Sequence, residues 1–213
     1  MGADRAKSTA FPKTPKPWHG SHLSGVDPRP QPQSTTNIPP PPRTISTAPS
    51  TSSIKRYGNP IIGLKISLEG PHQWLYTTVT PPTGWQKVDF ATSTNWLQGS
   101  GAFGTYAEKN ATGLRNKTKW KSKNIWLRTT VDLPDSITNA RVTWRYFHDE
   151  GLEVYVNGKD VFRDSWFTNV YKKKQFDEPN GLQPGKNLIA VHCHNEGQPG
   201  VIDVGFEWQP LQK

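Results

Sequence analysis

W-K-S-K-N-I-W-L-R-T-T-V-D-L-P, residues 120–134, and R-V-T-W-R-Y-F-H-D-E-G-L-E-V-Y-V-N-G, residues 141–158, decide the fold. Apolar and polar residues alternate with a period of two, the repeat of a strand that buries one face. Leu127, Val131 and Leu133 fall on one side of the first stretch, with Arg128, Thr130 and Asp132 on the other. Val142, Trp144 and Tyr146 repeat the pattern, and Val154 and Val156 lead into Asn157-Gly158. Asn-Gly between apolar runs signals a two-residue hairpin, because both turn positions need positive φ. The expected class is all-β and antiparallel.

Working outward, further strands are expected at Ile61–Leu68, Trp74–Val79, Ile125–Leu133, Ala140–Phe147, Leu152–Val156, Asp160–Arg163, Leu188–His194 and Val201–Trp208. Residues 90–118, rich in Gly, Ser, Thr and Asn, read as a long surface excursion pinned by Trp96 and Phe103. Eight or nine short strands joined by Gly/Pro turns, without a helical period or internal repeat, fit a sandwich or jelly roll. Residues 1–57 differ in kind. They hold eleven prolines and fifteen serines and threonines, with P-P-P-P at 39–42. So little apolar surface cannot offset ordering entropy, so 1–57 is expected to be a disordered tail and 58–213 the folded domain.

The formal charge of +9 is unevenly placed. Residues 1–57 carry eight Lys or Arg against Asp4 and Asp27, whereas residues 58–213 carry 18 basic and 15 acidic residues. A basic tail on a nearly balanced body suits weak contact with anionic polymers, not specific nucleic-acid reading. Cys193, the single cysteine, rules out an intramolecular disulfide and a cysteine-rich zinc site. Sharing a strand face with Ile189 and Val191, it reads as a small buried residue. No run has the length of a membrane span. Met1–Gly20 shows no apolar stretch of a signal peptide.

A series of short strings carries a resemblance: W-L-Y-T-T (74–78), P-x-x-G-W, G-x-G-A-F-G-T, W-K-S-x-x-I-W-L-R, H-D-E, V-Y-V-N-G, P-G-K-N-L-I-A-V-H-C-H and I-D-V-G. In that order, over residues 71–209, they resemble the galactose-binding-like jelly-roll β-sandwich attached to secreted bacterial glycoside hydrolases. The chain is also similar, more distantly, to the sugar-binding domain that opens family 2 glycosidases. Where the family often has Phe-Asp-Asp-Ser before the Trp, this chain has Phe90 followed by A-T-S-T-N and Trp96, so no role is carried over to acids in that turn. The resemblance implies a non-catalytic carbohydrate-binding or scaffolding module, partnered by carbohydrate and by a catalytic glycoside hydrolase domain. It also implies export; a fragment of, or a small, glycoside hydrolase is the alternative.

Several residues bear on chemistry. Trp166, Phe167 and Tyr171, in D-S-W-F-T-N-V-Y-K-K-K beside Asn169, break strict alternation and are expected to form an exposed aromatic platform for a sugar ring. Packing of that loop onto the sandwich is the plainer alternative, and Lys172–Lys174 reads as a solvated face. His192 and His194 project to one strand face, and with His148 and Asp149 would make a metal site if their strands were neighbours. The competing reading is hydrogen-bonded structural histidines. Asp149, Glu150 and Glu153 raise a glycosidase alternative, which needs two carboxylates about 5–10 Å apart. A third alternative is anion or nucleic-acid contact through the basic tail. With neither a nucleophile-and-base spacing nor a phosphate-cradling glycine loop, no cofactor is expected.

Overall fold

Among the described residues the chain forms eleven strands, most of them on the alternation read above. In the computed structural model these are β1 (Ile61–Leu64), β2 (Gln73–Thr77), β3 (Leu97–Ser100), β4 (Phe103–Gly104), β5 (Asn124–Leu133), β6 (Ala140–His148), β7 (Gly151–Val156), β8 (Lys159–Asp164), β9 (Lys172–Phe176), β10 (Gly185–His194) and β11 (Val201–Pro210). The structure describes residues 54–105, 113–114, 116–197 and 200–212. The tail expected at 1–57 lies almost wholly outside the described residues. Among the described residues the helical content is a short 3-10 turn, Asp135–Asn139, and no helix is long and apolar enough to cross a membrane.

The strands form two antiparallel sheets. One runs β3-β2-β5-β10-β7-β8; the other runs β1-β11-β6-β9, with the short β4 also pairing β11. Between them lies an apolar core. Ile125, Leu127, Val154, Val191 and Cys193 enter from the first sheet, and Val142, Trp144, Val204 and Phe206 from the second. Trp144, fully buried, meets Phe206 with ring centroids 4.9 Å apart and Phe162 at 5.8 Å. Gly205 marks a close approach: a Cβ there would lie 2.4 Å from the Leu64 carbonyl oxygen. Only a hydrogen lets the chain after β1 cross β11 so tightly.

The β7–β8 turn is the expected hairpin, with φ of 51° at Asn157 and 85° at Gly158. Asn157 also tethers it to β10, its Oδ1 accepting from the Leu188 amide at 2.9 Å and its Nδ2 donating to Asn187 Oδ1 at 2.9 Å. Three strands go beyond the sequence expectation. β3 and β4 cut into the segment read as a surface excursion, and Phe103 of β4 is a core residue. β9 contains Lys172–Lys174, whose polar run hides its pairing with β6.

The metal reading required β6 and β10 to be neighbours, but they belong to opposite sheets. His148, at the end of β6, is fully buried beside Asp164, its Nε2 lying 3.5 Å from Asp164 Oδ2. It cannot join His192 and His194. Among the described residues no group of three or more His, Cys, Asp or Glu is placed to hold an ion.

Candidate functional site

Pairing register fixes which side chains share the outer face of the six-stranded sheet. Thr77, Trp126, His192, Glu153 and Arg163 stand in one row across β2, β5, β10, β7 and β8. Gln98, Leu75, Arg128, Ala190, Tyr155 and Asp160 form the next row. A sheet face this polar and aromatic is not a second core. It is partly roofed by the loop between β2 and β3: Trp85 packs edge-on against Tyr155 (5.6 Å), and Phe90 against Trp96 (6.3 Å).

Toward β8 the face opens into a depression of about 510 Å³, whose lining includes Glu150, Glu153, Arg163, Trp166, His192 and His194. Its floor is held in fixed geometry. His192 stacks on Trp126 (4.9 Å, 12°) and its Nε2 pairs with Asn124 Oδ1 at 2.9 Å. His194 Nδ1 meets the same oxygen at 3.0 Å, so Asn124 orients both rings. Glu153 accepts from Arg163 and from Tyr155 Oη (2.7 Å), and its Oε2 lies 3.5 Å from His192 Nδ1. Burial holds the His192 imidazole below its ordinary range, against the opposing pull of Glu153. The same burial, reinforced by the hydrogen bond to Glu153, pushes the Tyr155 phenol up to about 12. The depression thus presents a neutral imidazole, a paired carboxylate and a guanidinium beside an aromatic ring.

That ring is Trp166, in the β8–β9 loop, 73% exposed, with Phe167 at 58%. Asn169 is exposed beside them. Tyr171 is not: its hydroxyl donates to Asp203 Oδ2 at 2.6 Å and its ring packs on Phe147 at 5.7 Å. It therefore leaves the aromatic platform and becomes part of the loop's anchor. Asp203, 4% exposed, also accepts from the Ser67 amide at 2.8 Å. Thr168, between Phe167 and Asn169, is buried and bonds the His148 backbone, so the loop is pinned immediately beside its exposed rings.

Trp126, Arg128 and Arg163 of the outer face are not among the site residues expected from sequence, and Glu153 entered only as a carboxylate of the glycosidase alternative. Their signal was present in the polar half of the alternation, at Arg128 and Thr130 on β5 and at His192 and His194 on β10. What sequence did not show was the order in which the strands lie side by side.

Comparison by sequence finds no matching family and no matching curated protein. Among solved structures, the chain is similar to a Bifidobacterium dentium β-glucuronidase complexed with coumarin-3-O-glucuronide (TM-score 0.48, 14% identity, 71% of this chain and 30% of that one). A β-glucuronidase of an uncultured Clostridium sp. gives 0.47, 13%, 71% and 29%. A glycosyl hydrolase family 2 member from Bacteroides cellulosilyticus gives 0.47, 14%, 68% and 20%. This chain spans less than a third of the length of each, and nothing of their activity is carried over to it on that likeness.

Proposed function

We propose that the protein is a non-catalytic carbohydrate-binding β-sandwich module that serves a carbohydrate-processing enzyme. The observation that carries this reading is Trp166, 73% exposed at the rim of a depression floored by His192, Glu153 and Arg163. A sugar ring needs a flat apolar surface for its C–H face and fixed donors and acceptors for its hydroxyls. Trp166 offers the first and the Asn124-oriented histidines with the Glu153–Arg163 pair offer the second. The ordered motifs over residues 71–209 lend the same support. The carboxylates are bonded as positioning groups: Glu153 is held by Arg163 and Tyr155, and Glu150 accepts from the Glu196 amide.

The test is affinity electrophoresis through gels of neutral polysaccharides. Wild-type protein should be retarded by at least one of them, and Trp166→Ala should weaken retention about tenfold, the scale of one lost aromatic contact, with an unchanged melting temperature. Retention on no polysaccharide, or retention indifferent to Trp166→Ala, overturns the assignment.

A further inference from the structure

Arg128 is a charge on this face that no carboxylate among the described residues balances. Its side chain stands on β5 within the outer-face row, yet it is only 6% exposed. Nη1 donates to the carbonyl oxygens of Trp85 and of Lys87 (3.0 Å), and the guanidinium lies 5.3 Å from the Phe90 ring centroid and 6.0 Å from that of Trp96. Carbonyls and ring faces orient a cation but supply no counter-charge. Among the described residues no carboxylate makes an ion pair with it, in contrast to Arg141, Arg145 and Arg163, which all have one. Burial alone moves its pKa, and downward, the mark of a cation short of compensating charge. A buried guanidinium is ordinarily paired, because desolvation without a partner is costly.

The same residue lines a second depression, of about 420 Å³, that shares no lining residue with the one at Trp166. Leu75, Leu188 and Phe90 give it an apolar lining, and Gln98, Thr92 and Thr130 give it amide and hydroxyl groups. Gln73 is steadied at its edge by donating to Ser100 Oγ at 2.7 Å. Amides, hydroxyls and a ring beside one unbalanced guanidinium suit a ligand that is polyhydroxylated and anionic. A planar carboxylate matches the guanidinium fork, as a hydroxyl does not.

We propose that this groove is a second binding site, selective for carboxylate-bearing saccharides, with Arg128 taking the carboxylate and Gln98 and Thr92 the neighbouring hydroxyls. It rests on the carbohydrate-binding reading but uses different residues from the Trp166 depression.

The test compares full-chain protein on gels of polygalacturonate and of the same polymer after carboxyl reduction, with galacturonate monomer as competitor. Tighter retention on the carboxylated polymer is expected, relieved by the monomer. Arg128→Met should weaken it about 10- to 100-fold, the range for losing a hydrogen bond to a charged partner. Trp166→Ala should leave the preference for the carboxylated form intact. Because Arg128 also holds the loop roof, Gln98→Ala with Thr92→Ala, both exposed positions, provides the second arm. It should lower retention several-fold at unchanged stability. Equal retention on the two polymers, or loss of neither in the double variant, overturns the proposal. So does carboxylate preference that survives Arg128→Met, which assigns the effect to the basic residues of 1–57. Trp166-dependent binding without carboxylate preference sinks this site alone. Arg128-dependent carboxylate preference without Trp166-dependent retention on any neutral polysaccharide sinks only the Trp166 assignment.

Discussion

Two glycines show how differently a single residue can constrain this fold. At Gly158 the constraint is conformational: φ is 85°, while the nearest atom to an added Cβ, Lys87 Cα, is 3.5 Å away, an ordinary contact. Gly158→Val should therefore cost about 1–2 kcal/mol, the penalty for forcing an L-residue into the left-handed region. At Gly205 the backbone is unexceptional and the constraint is space, since an added Cβ would meet main chain at Leu64 and Ile66. Backbone cannot rotate aside as a side chain can, so Gly205→Ala should cost at least the roughly 1–3 kcal/mol of an overpacked core. Gly197, with nothing within 4 Å of its Cβ position, is the control. Equilibrium urea unfolding of the three variants checks the ranking, which fails if Gly205→Ala resembles Gly197→Ala. The Gly158 constraint was legible in the sequence as Asn-Gly between apolar runs. The Gly205 constraint was not, because it depends on a strand about 140 residues away in the chain, an interval of the order that turn and propensity rules never span.

At the scale of elements, strands with strict alternation were legible and strands without it were not. β5, β6, β7 and β10 each show an apolar half that enters the core, and their expected bounds differ from the observed ones by a few residues. β9 reads K-K-K-Q-F and carries no such half. Its pairing explains the lysines. Lys172 and Lys174 stand opposite Tyr146 and Trp144 of β6, on the core side of the sheet. Because β9 is an edge, they reach across the open side of the sandwich: Lys172 Nζ lies 3.1 Å from Asp164 Oδ2, and Lys174 Nζ lies 5.6 Å from the Phe162 ring centroid. Inward-pointing charges on an edge strand keep it from pairing with another chain, because such pairing would bury them. Lys172→Val with Lys174→Val should leave a folded protein that self-associates at concentrations where wild type does not. Light scattering after size-exclusion chromatography would show it, and a monomeric double variant would reject this role. The candidate site was legible to the same degree as its elements. Trp166, Phe167 and Asn169 are as exposed as their broken alternation suggested, whereas Tyr171 turned inward to a partner, Asp203, that lies far along the chain.

For the molecule as a whole, two buried titratable groups set opposite slopes of stability against pH. Burial raises the Asp203 carboxyl above its ordinary 3.8, outweighing the hydrogen bonds from Ser67 and Tyr171 that favour the carboxylate. The folded state therefore holds this proton more tightly than the unfolded chain. The contribution of Asp203 is full below the unfolded value and is lost as pH rises through the folded one. Burial lowers the His148 imidazole below its ordinary 6.5, with Asp164 opposing the shift. Here the unfolded chain binds the proton more readily, so the contribution of His148 is full above 6.5 and is lost as pH falls from there toward the folded value. Between the two ordinary values the slopes offset each other, and each variant should unmask the other group. Subtracting the stability of Asp203→Asn from that of wild type should give a difference that falls as pH rises from 3.8. Subtracting that of His148→Gln should give a difference that rises with pH up to 6.5. Urea unfolding in steps across this window reads the slopes independently of how far either substitution lowers overall stability. Two parallel, flat difference curves would mean that burial shifts neither group's proton affinity.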